Sequence, residues 1–511
     1  MLKRLKMKGL QHNQKAIQSI PVQIGLLALF FCLYHLFLKY IMRETGLDLG
    51  AVGYNNHVVP LYAQPSFDFS VWTLPVALVV WMCYLYLRHL CIDSGVSDRR
   101  LIWIAIALFC VINIGVAQID GYREFGTEDQ KERILTLLEP YTRTSLEYYG
   151  DVPRVDELGI RNFLRDYSKP ELFDTLSGHT RTHPPGGVLF LWHVSGLFGY
   201  NLISASLITI LFTAFTVIPI YRLAEMLYGK KVARYALLLF LITPNFVMFT
   251  GTSMDGPFSV FPILSVYLFY MARERETVPD QKWYELRPYS LLTGLSLALG
   301  MFMTYSTVVV GVFLCVIPLL ERKRFVQYLK VLLFAASGFI GFYLLLFVLT
   351  GFRPIEALWA AIKKDESGMG SGYESVGRYF HLSVANLFAF LIGVGFPITM
   401  VWLRQLASTI RDWRQESLSS EQEIGQPRTP WIFRHENVDT FVIGFLITLL
   451  YFTFSTWFTM EVERIWIFMV PFFVIPVAKH LTDRPLSDLY WVGGLLVAQL
   501  IIGEVLLYTY W

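Results

Sequence analysis

Charge is what this 511-residue chain has least of: 16% of its residues are Asp, Glu, Lys or Arg, against about 25% in soluble globular domains. That shortage excludes a water-soluble domain. The formal net charge of +3 is too small to mark a partner for nucleic acid or another polyanion, and no nucleic-acid role is expected. Cysteine is equally uninformative. Cys32, Cys83, Cys91, Cys110 and Cys315 lie in or beside apolar stretches, with neither a disulfide framework nor zinc-ligand spacing. The glycines of 367–373 match neither a phosphate-binding loop nor a dinucleotide fingerprint. No 20–50-residue repeat is visible, and few ionisable residues fall inside the apolar runs. A transporter or flippase of a lipid-linked glycan is expected to show internal repeats, broken helices and charge at the bilayer midplane. It stands as the alternative reading, together with a non-catalytic cell-envelope assembly protein.

What the chain has instead is hydrocarbon: 54% hydrophobic and 16% aromatic residues, with repeated runs long enough to cross a bilayer. Candidate spans are 22–41, 71–90, 101–118, 202–222, 232–250, 255–272, 288–304, 305–319, 326–350, 381–403, 437–458, 464–480 and 488–510. The first has spanning length and no small-residue cleavage pattern, so a retained span is expected rather than a signal peptide. Lys3, Arg4, Lys6, Lys8 and Lys15 place the N-terminus in the cytoplasm by the positive-inside bias. Alternation then puts Arg99/Arg100, Arg222–Arg234, Arg273/Arg275, Arg322–Arg324, Arg404–Arg434 and Lys479/Arg484 on that same side. The consistency requires that 184–198 lie along the outer surface as an interfacial helix and that 288–319 form a hairpin turning near Tyr305. The expected fold is an all-α polytopic membrane protein of about 13 transmembrane helices in the plasma membrane. Residues 1–100 hold the cytoplasmic N-terminus and two extra spans. Residues 101–350 form a core with the large external loop 119–201. Residues 351–511 add C-terminal spans, an external loop 351–380 and a solvated cytoplasmic loop 404–436.

The large loop opens with Gln118-Ile119-Asp120-Gly121-Tyr122 and closes with His179-Thr180-Arg181-Thr182-His183-Pro184-Pro185. Helical apolar spacing is read at 129–148 and at 155–165. Asp120 emerges where a span ends, and partial shielding from water suits a carboxylate to general-base work. Glu124, Glu128 and Asp129 are nearby competitors. His179 and His183 are four apart, but Pro184 disfavours a helical His183 and no third ligand is fixed, so no metal site is assigned. Pro184-Pro185 reads as a helix start, whose free N–H groups beside Arg181 suit a phosphate. Thr243-Pro244-Asn245 is expected to kink a span near its outer end. Asp255, opening the next span, either caps that helix or binds substrate hydroxyls. Glu461 and Arg464, three apart, share a helix face, as an interfacial ion pair or as part of a site. All these residues fall on one side of the expected topology, which points to one surface-level active site.

This pattern resembles the GT-C superfamily of membrane glycosyltransferases, nearest its protein mannosyltransferase and aminoarabinose transferase branch. The likeness lies in the acidic residue after the first core span, the long first external loop and its His183-Pro184-Pro185 closing turn. More loosely, Glu461-Val462-Glu463-Arg464-Ile465-Trp466 resembles a late acidic/arginine motif of some bacterial members. By layout it covers roughly 101–350. It implies a polyprenyl-phosphate-linked sugar donor, an inverting transfer outside the cytoplasm, and a glycan, lipid or protein acceptor. Asp120 matches the catalytic acid position, and His179, Arg181, His183, Asp255, Glu461 and Arg464 are the substrate-binding candidates. No cofactor is required by this chemistry; a divalent metal is used by some relatives and stays open. The chain departs from the branch in having Asp120-Gly121 where an acidic pair is common, and in its two preceding spans.

Overall fold

The computed structural model describes residues 19–47, 49, 56–125, 132–276, 287–321, 324–421 and 439–508. Glu128 and Asp129, and the basic N-terminal cluster, lie outside these residues. Among the described residues seven helices are long and apolar enough to cross a membrane: Ile20–Thr45, Thr73–Ile92, Asp98–Ala117, Leu202–Tyr228, Phe325–Thr350, Val376–Val394 and Leu486–Leu506. Shorter apolar helices accompany them at Gly186–Phe198, Pro288–Met303, Tyr305–Leu320, Thr440–Ser455 and Ile467–Thr482. The outer surfaces carry large apolar side chains turned away from the core, such as Leu333, Leu344 and Val348 on Phe325–Thr350. A helix apolar on all sides is stable only where its surroundings are apolar as well. The chain is therefore an all-α multi-pass membrane protein.

Several sequence expectations gain a physical cause here. Lys230–Phe240 and Pro244–Thr252 form one span bent by 55°. Pro244 lacks the N–H that a continuous helix would use, and it starts the second segment instead. The 288–319 stretch is a hairpin, with Thr304 Oγ1 accepting from the Ser306 N–H at the turn. Polar side chains tie helix ends together at one end of the bundle. Arg234 meets Asp98 at 2.8 Å, Arg273 meets Glu321 at 2.7 Å and Lys479 meets Asp439 at 2.8 Å. The Lys231 ammonium donates to the Thr482 carbonyl. The basic clusters that the charge bias assigned to one side are thus gathered at one end.

Other expectations are corrected. The stretch read as a helix over 129–148 has no such helix among its described residues. Glu132–Leu135 pairs antiparallel with Tyr122–Phe125, Tyr122 opposite Leu135, and a short 3-10 turn and a four-residue helix follow. Cross-strand pairing satisfies the backbone there, and tertiary pairing overrides the helical spacing. The 155–165 helix is two, Val152–Leu158 and Ile160–Asp166, parted at Gly159 with φ +74. The span read at 381–403 is likewise two helices, Val376–Val394 and Phe396–Glu421, divided at Gly395 with φ +110. Helix Phe396–Glu421 also fills the first half of what reads as the 404–436 loop, and the 351–380 segment contains helix Pro354–Met369.

Helix Gly186–Phe198 is buried along Gly186, Gly187, Val188, Leu189, Leu191 and Val194, so it packs into the molecule as well as along its surface. A Cβ on Gly186 would lie 2.1 Å from the Phe302 carbonyl oxygen, whereas one on Gly196 would meet open space. Gly186→Ala is expected to cost about 1–3 kcal/mol through overpacking, lowering the unfolding temperature of the detergent-solubilised protein. Gly196→Ala is expected to leave it unchanged, and equal behaviour of the two would show that this contact does not constrain the fold.

Candidate active site

Arg464 is the centre of the site. It lies on the short helix Val462–Ile465 and is buried at 6% exposure. One guanidinium nitrogen is 2.9 Å from Asp255 Oδ2 and the other 2.6 Å from Glu461 Oε2. Asp255 and Glu461 are buried too. A charge this deep is tolerable only when paired and hydrogen-bonded. Burial acts to strip the Arg464 proton, but the charges of Asp255, Glu461 and Glu147 hold the group above the usual arginine range. Three segments remote in sequence are joined by one cation.

Each partner is placed by local backbone structure. Asp255 is the first residue of helix Asp255–Arg275; its Oδ2 accepts from Ser253 Oγ at 2.8 Å, and its own N–H donates to that hydroxyl. Asp255 thus opens the helix without capping it, and its carboxylate is engaged by Arg464 instead. Glu461 and Met460 have φ +57 and +78, a left-handed backbone that non-glycine residues rarely adopt. Such strain concentrates where function over-determines geometry.

The large loop supplies the other wall. Glu147 Oε1 is 3.1 Å from His179 Nδ1, with both side chains largely buried. Tyr148 sits edge-on to His183 at 5.6 Å and to Phe258 at 5.5 Å, and His183 stacks on Phe258 at 5.7 Å. His183 ends helix Gly178–Thr182 in an extended conformation, as a residue before proline is biased to do. Its Nδ1 lies 3.1 Å from the His179 carbonyl oxygen. Burial, then the neighbouring His179, push its pKa down to about 4. Tyr148 is pushed up, by burial and by the Asp255 and Glu147 charges, so it stays a phenol and a potential donor. A small cavity, about 10 Å³ and so the size of a single water molecule, is walled by Pro140, Tyr141, Glu147, Tyr148, Tyr149, Leu191, Ser253 and Met254.

Helix Pro354–Met369 packs against Gly178–Thr182. Its Asp365 is pushed up to about 6 by burial and by the charges of Glu461 and Glu366. The region is therefore rich in carboxylates around one guanidinium. Among the described residues no three His, Cys, Asp or Glu side chains are grouped as metal ligands, so no step is assigned to a metal here.

The structure brings together His179, His183, Asp255, Glu461 and Arg464. Arg181 is half-buried on the His179 helix, and its Nε has no hydrogen-bond partner among the described residues. The N-terminus proposed for phosphate lies against the 302–303 backbone at Gly186 and against Phe258 and Tyr148 at Gly187. Asp120 sits on the turn after helix Asp98–Ala117. That turn is pinned by Ser70 and Thr73 hydroxyls donating to the Ile119 carbonyl and by the Thr136 N–H donating to Gly121. Asp120 is not among the cavity walls. Glu147, Tyr148 and Ser253 were not found from the sequence. No spacing marks them, because they reach the site through loop folding rather than a shared helix face.

His183 supplies a pH test. Between about 4 and 6.5 the unfolded chain binds a proton at this residue that the folded chain refuses, so its contribution to stability falls as pH falls through that window. Melting of the wild type is expected to drop more between pH 7.5 and 5 than melting of His183→Gln. An identical drop in both would mean the histidine titrates freely.

Comparison with known families adds the chemistry. Residues 182–350 match the family model described as dolichyl-phosphate-mannose-protein mannosyltransferase. That third of the chain includes the His183-Pro184-Pro185 turn and Asp255, while Asp120, Glu147, Glu461 and Arg464 lie outside it. No curated protein and no solved structure matches the chain significantly. The resemblance drawn from the sequence is borne out: over residues 182–350 the chain is similar to the dolichyl-phosphate-mannose-protein mannosyltransferase family.

Proposed function

We propose that the protein transfers a sugar from a polyprenyl-phosphate donor to a glycan, lipid or protein acceptor at the extracytoplasmic face of the plasma membrane. In this reading the chain crosses the bilayer about 13 times, with its N-terminus in the cytoplasm. The observation that carries the proposal is the convergence on Arg464 of Asp255, Glu461 and the charge of Glu147, from three separate segments, beside a small cavity, in a chain with this family likeness. A polyprenyl tail dissolves only in the bilayer, whereas the sugar and the acceptor hydroxyl are polar. The two meet where apolar helices end and polar loops begin, which is the level of the Arg464 cluster.

The reaction is a single displacement at the sugar C1. The acceptor oxygen attacks, a carboxylate takes its proton, and the bond to the phosphate oxygen breaks, inverting C1 and releasing polyprenyl phosphate. Arg464 and Arg181 are the cations assigned to the departing phosphate. Since two carboxylates already hold Arg464, it serves the phosphate by exchanging one of them as charge develops, an interaction strongest in the transition state. His179 and His183 present polar edges to the bound sugar, and Asp255 and Glu461 accept from its hydroxyls. Asp120 is assigned as the base by its match to the catalytic acid position. Glu147 is the carboxylate that the cavity itself offers for the same task.

Purified protein in lipid nanodiscs, given a labelled polyprenyl-phosphate sugar and membrane extract as acceptor source, is expected to release polyprenyl phosphate. Asp120→Asn is expected to lower turnover by about 10²–10⁴-fold. If Asp120→Asn keeps full turnover while Glu147→Gln abolishes it, the proton passes to Glu147 instead. Absence of release by the wild type from every donor tried, with glycan moved intact across the membrane, would support the transport alternative. Arg464→Ala is expected to destabilise the protein by about 3–5 kcal/mol, because Asp255 and Glu461 are left as buried unpaired charges. Thermal unfolding of the solubilised variant measures this.

A further inference from the structure

The two extra N-terminal spans precede the part of the chain that resembles a known family, yet the first of them and the segment that follows it reach the Arg464 turn. Met460, next to Glu461, is buried at 3% exposure in a cluster formed by Leu38 and Met42 of helix Ile20–Thr45, Leu49 and Val59, with Leu382 and Ala385 opposite. His35 Nδ1 lies 2.7 Å from the Val59 carbonyl oxygen and fixes the 56–63 segment to that helix. The Tyr62 N–H donates to Glu463 Oε1 at 2.6 Å across 401 residues of sequence. Glu463 is 5% exposed and immediately precedes Arg464. Its backbone carbonyl accepts from Asn245 Nδ2 at 3.0 Å, and Gly393 leaves room for its Cβ.

Consecutive left-handed residues at Met460 and Glu461 are strained and persist only where the surroundings over-determine them. The surroundings here are of two kinds. Asn386, on helix Val376–Val394, holds the backbone from one side: its Nδ2 donates to the Phe458 carbonyl at 2.7 Å, and its Oδ1 accepts from the Met460 N–H at 3.3 Å. The N-terminal unit holds the other side, by the apolar grip on Met460 and by the hydrogen bond to Glu463. Asn386 fixes the backbone before the turn, and Tyr62 fixes the side chain after Glu461. Together they set the direction in which Glu461 and Arg464 meet.

We infer that the N-terminal helix Ile20–Thr45 and its 56–63 strap are a working part of the active site, and that Glu463 is a positioning residue aiming the Glu461–Arg464 pair. The inference rests on the glycosyltransferase reading. Glu463 does not touch the reacting atoms; it works as the acceptor that anchors the turn to Tyr62. The amide oxygen of glutamine keeps that acceptor, and leucine of similar size removes it.

The test is steady-state release of polyprenyl phosphate by the full-length chain in nanodiscs. Glu463→Gln is expected to keep at least half of the wild-type kcat. Glu463→Leu is expected to lose about 10–100-fold in kcat, since displacing a catalytic group by an ångström costs rates of that order, with donor KM within about twofold of wild type. Tyr62→Pro, which deletes the donor N–H together with the ring that stacks on His57, is expected to follow Glu463→Leu. Wild-type kcat in Glu463→Leu overturns the inference. Equal loss in Glu463→Gln and Glu463→Leu overturns it too, because the acid itself is then what matters. If neither Glu463→Leu nor Tyr62→Pro yields a monodisperse folded protein, the contact belongs to folding and the positioning role falls. An inactive wild type would instead refute the glycosyltransferase reading.

Discussion

One buried cation organises the polar end of this molecule. Arg464 stands between Asp255, at the head of a membrane helix, and Glu461, on a backbone turn of high energy, with Glu147 of the large loop close enough to bias its protonation. Two acids facing one base leave the cluster negative, and a negative pocket favours hydrogen-bond donors and keeps protons on neighbouring acids such as Asp365. The carboxylates that neutralise the guanidinium at rest also restrain it, so in the proposed transfer an anionic leaving group has to compete for it. That competition gives the site a way to respond to charge that appears only during bond breaking. A buried pair of this kind contributes little net stability, and the strain beside it contributes less than none. The arrangement is better understood as geometry held ready than as a fastening.

Much of the scaffold was legible because bilayer physics writes itself into composition. Apolar length marks the helices, and Pro244 and the Tyr305 turn mark their breaks. The basic clusters that alternation placed on one side meet through Asp98, Glu321 and Asp439 at one end of the bundle. The failures have a common cause. At 132–135 and around Gly159 and Gly395, local spacing promised continuous helices, but pairing with a neighbouring strand or a backbone torsion available to glycine won. Sequence periodicity does not see either.

The site was legible in part for a related reason. Asp255, Glu461 and Arg464 stand at helix starts, where topology alone assigns them a side, and His179 and His183 precede a proline pair that ends a loop. Glu147 and Tyr148 sit in irregular backbone whose course no short pattern encodes. Asp120 was named for its place after a span, and its turn is held by Ser70, Thr73 and Thr136, so its fixed position comes from tertiary contacts that its neighbours in sequence do not reveal. Asp365 reaches the cluster's field only because a helix formed where a flexible loop was expected.

The hydrogen bond from Tyr62 to Glu463 also bears on how the protein is made. Its donor leaves the ribosome 401 residues before its acceptor, an interval of roughly 20–80 s at translation rates of about 5–20 residues per second. Throughout that time the strap has no partner for this N–H, and the left-handed turn does not yet exist. The Gln64–Pro65 strand waits longer still for Leu507–Tyr508. The geometry around Arg464 therefore forms only when a segment from early in the chain closes onto one made 401 residues later, with the helix Leu486–Leu506 still to come.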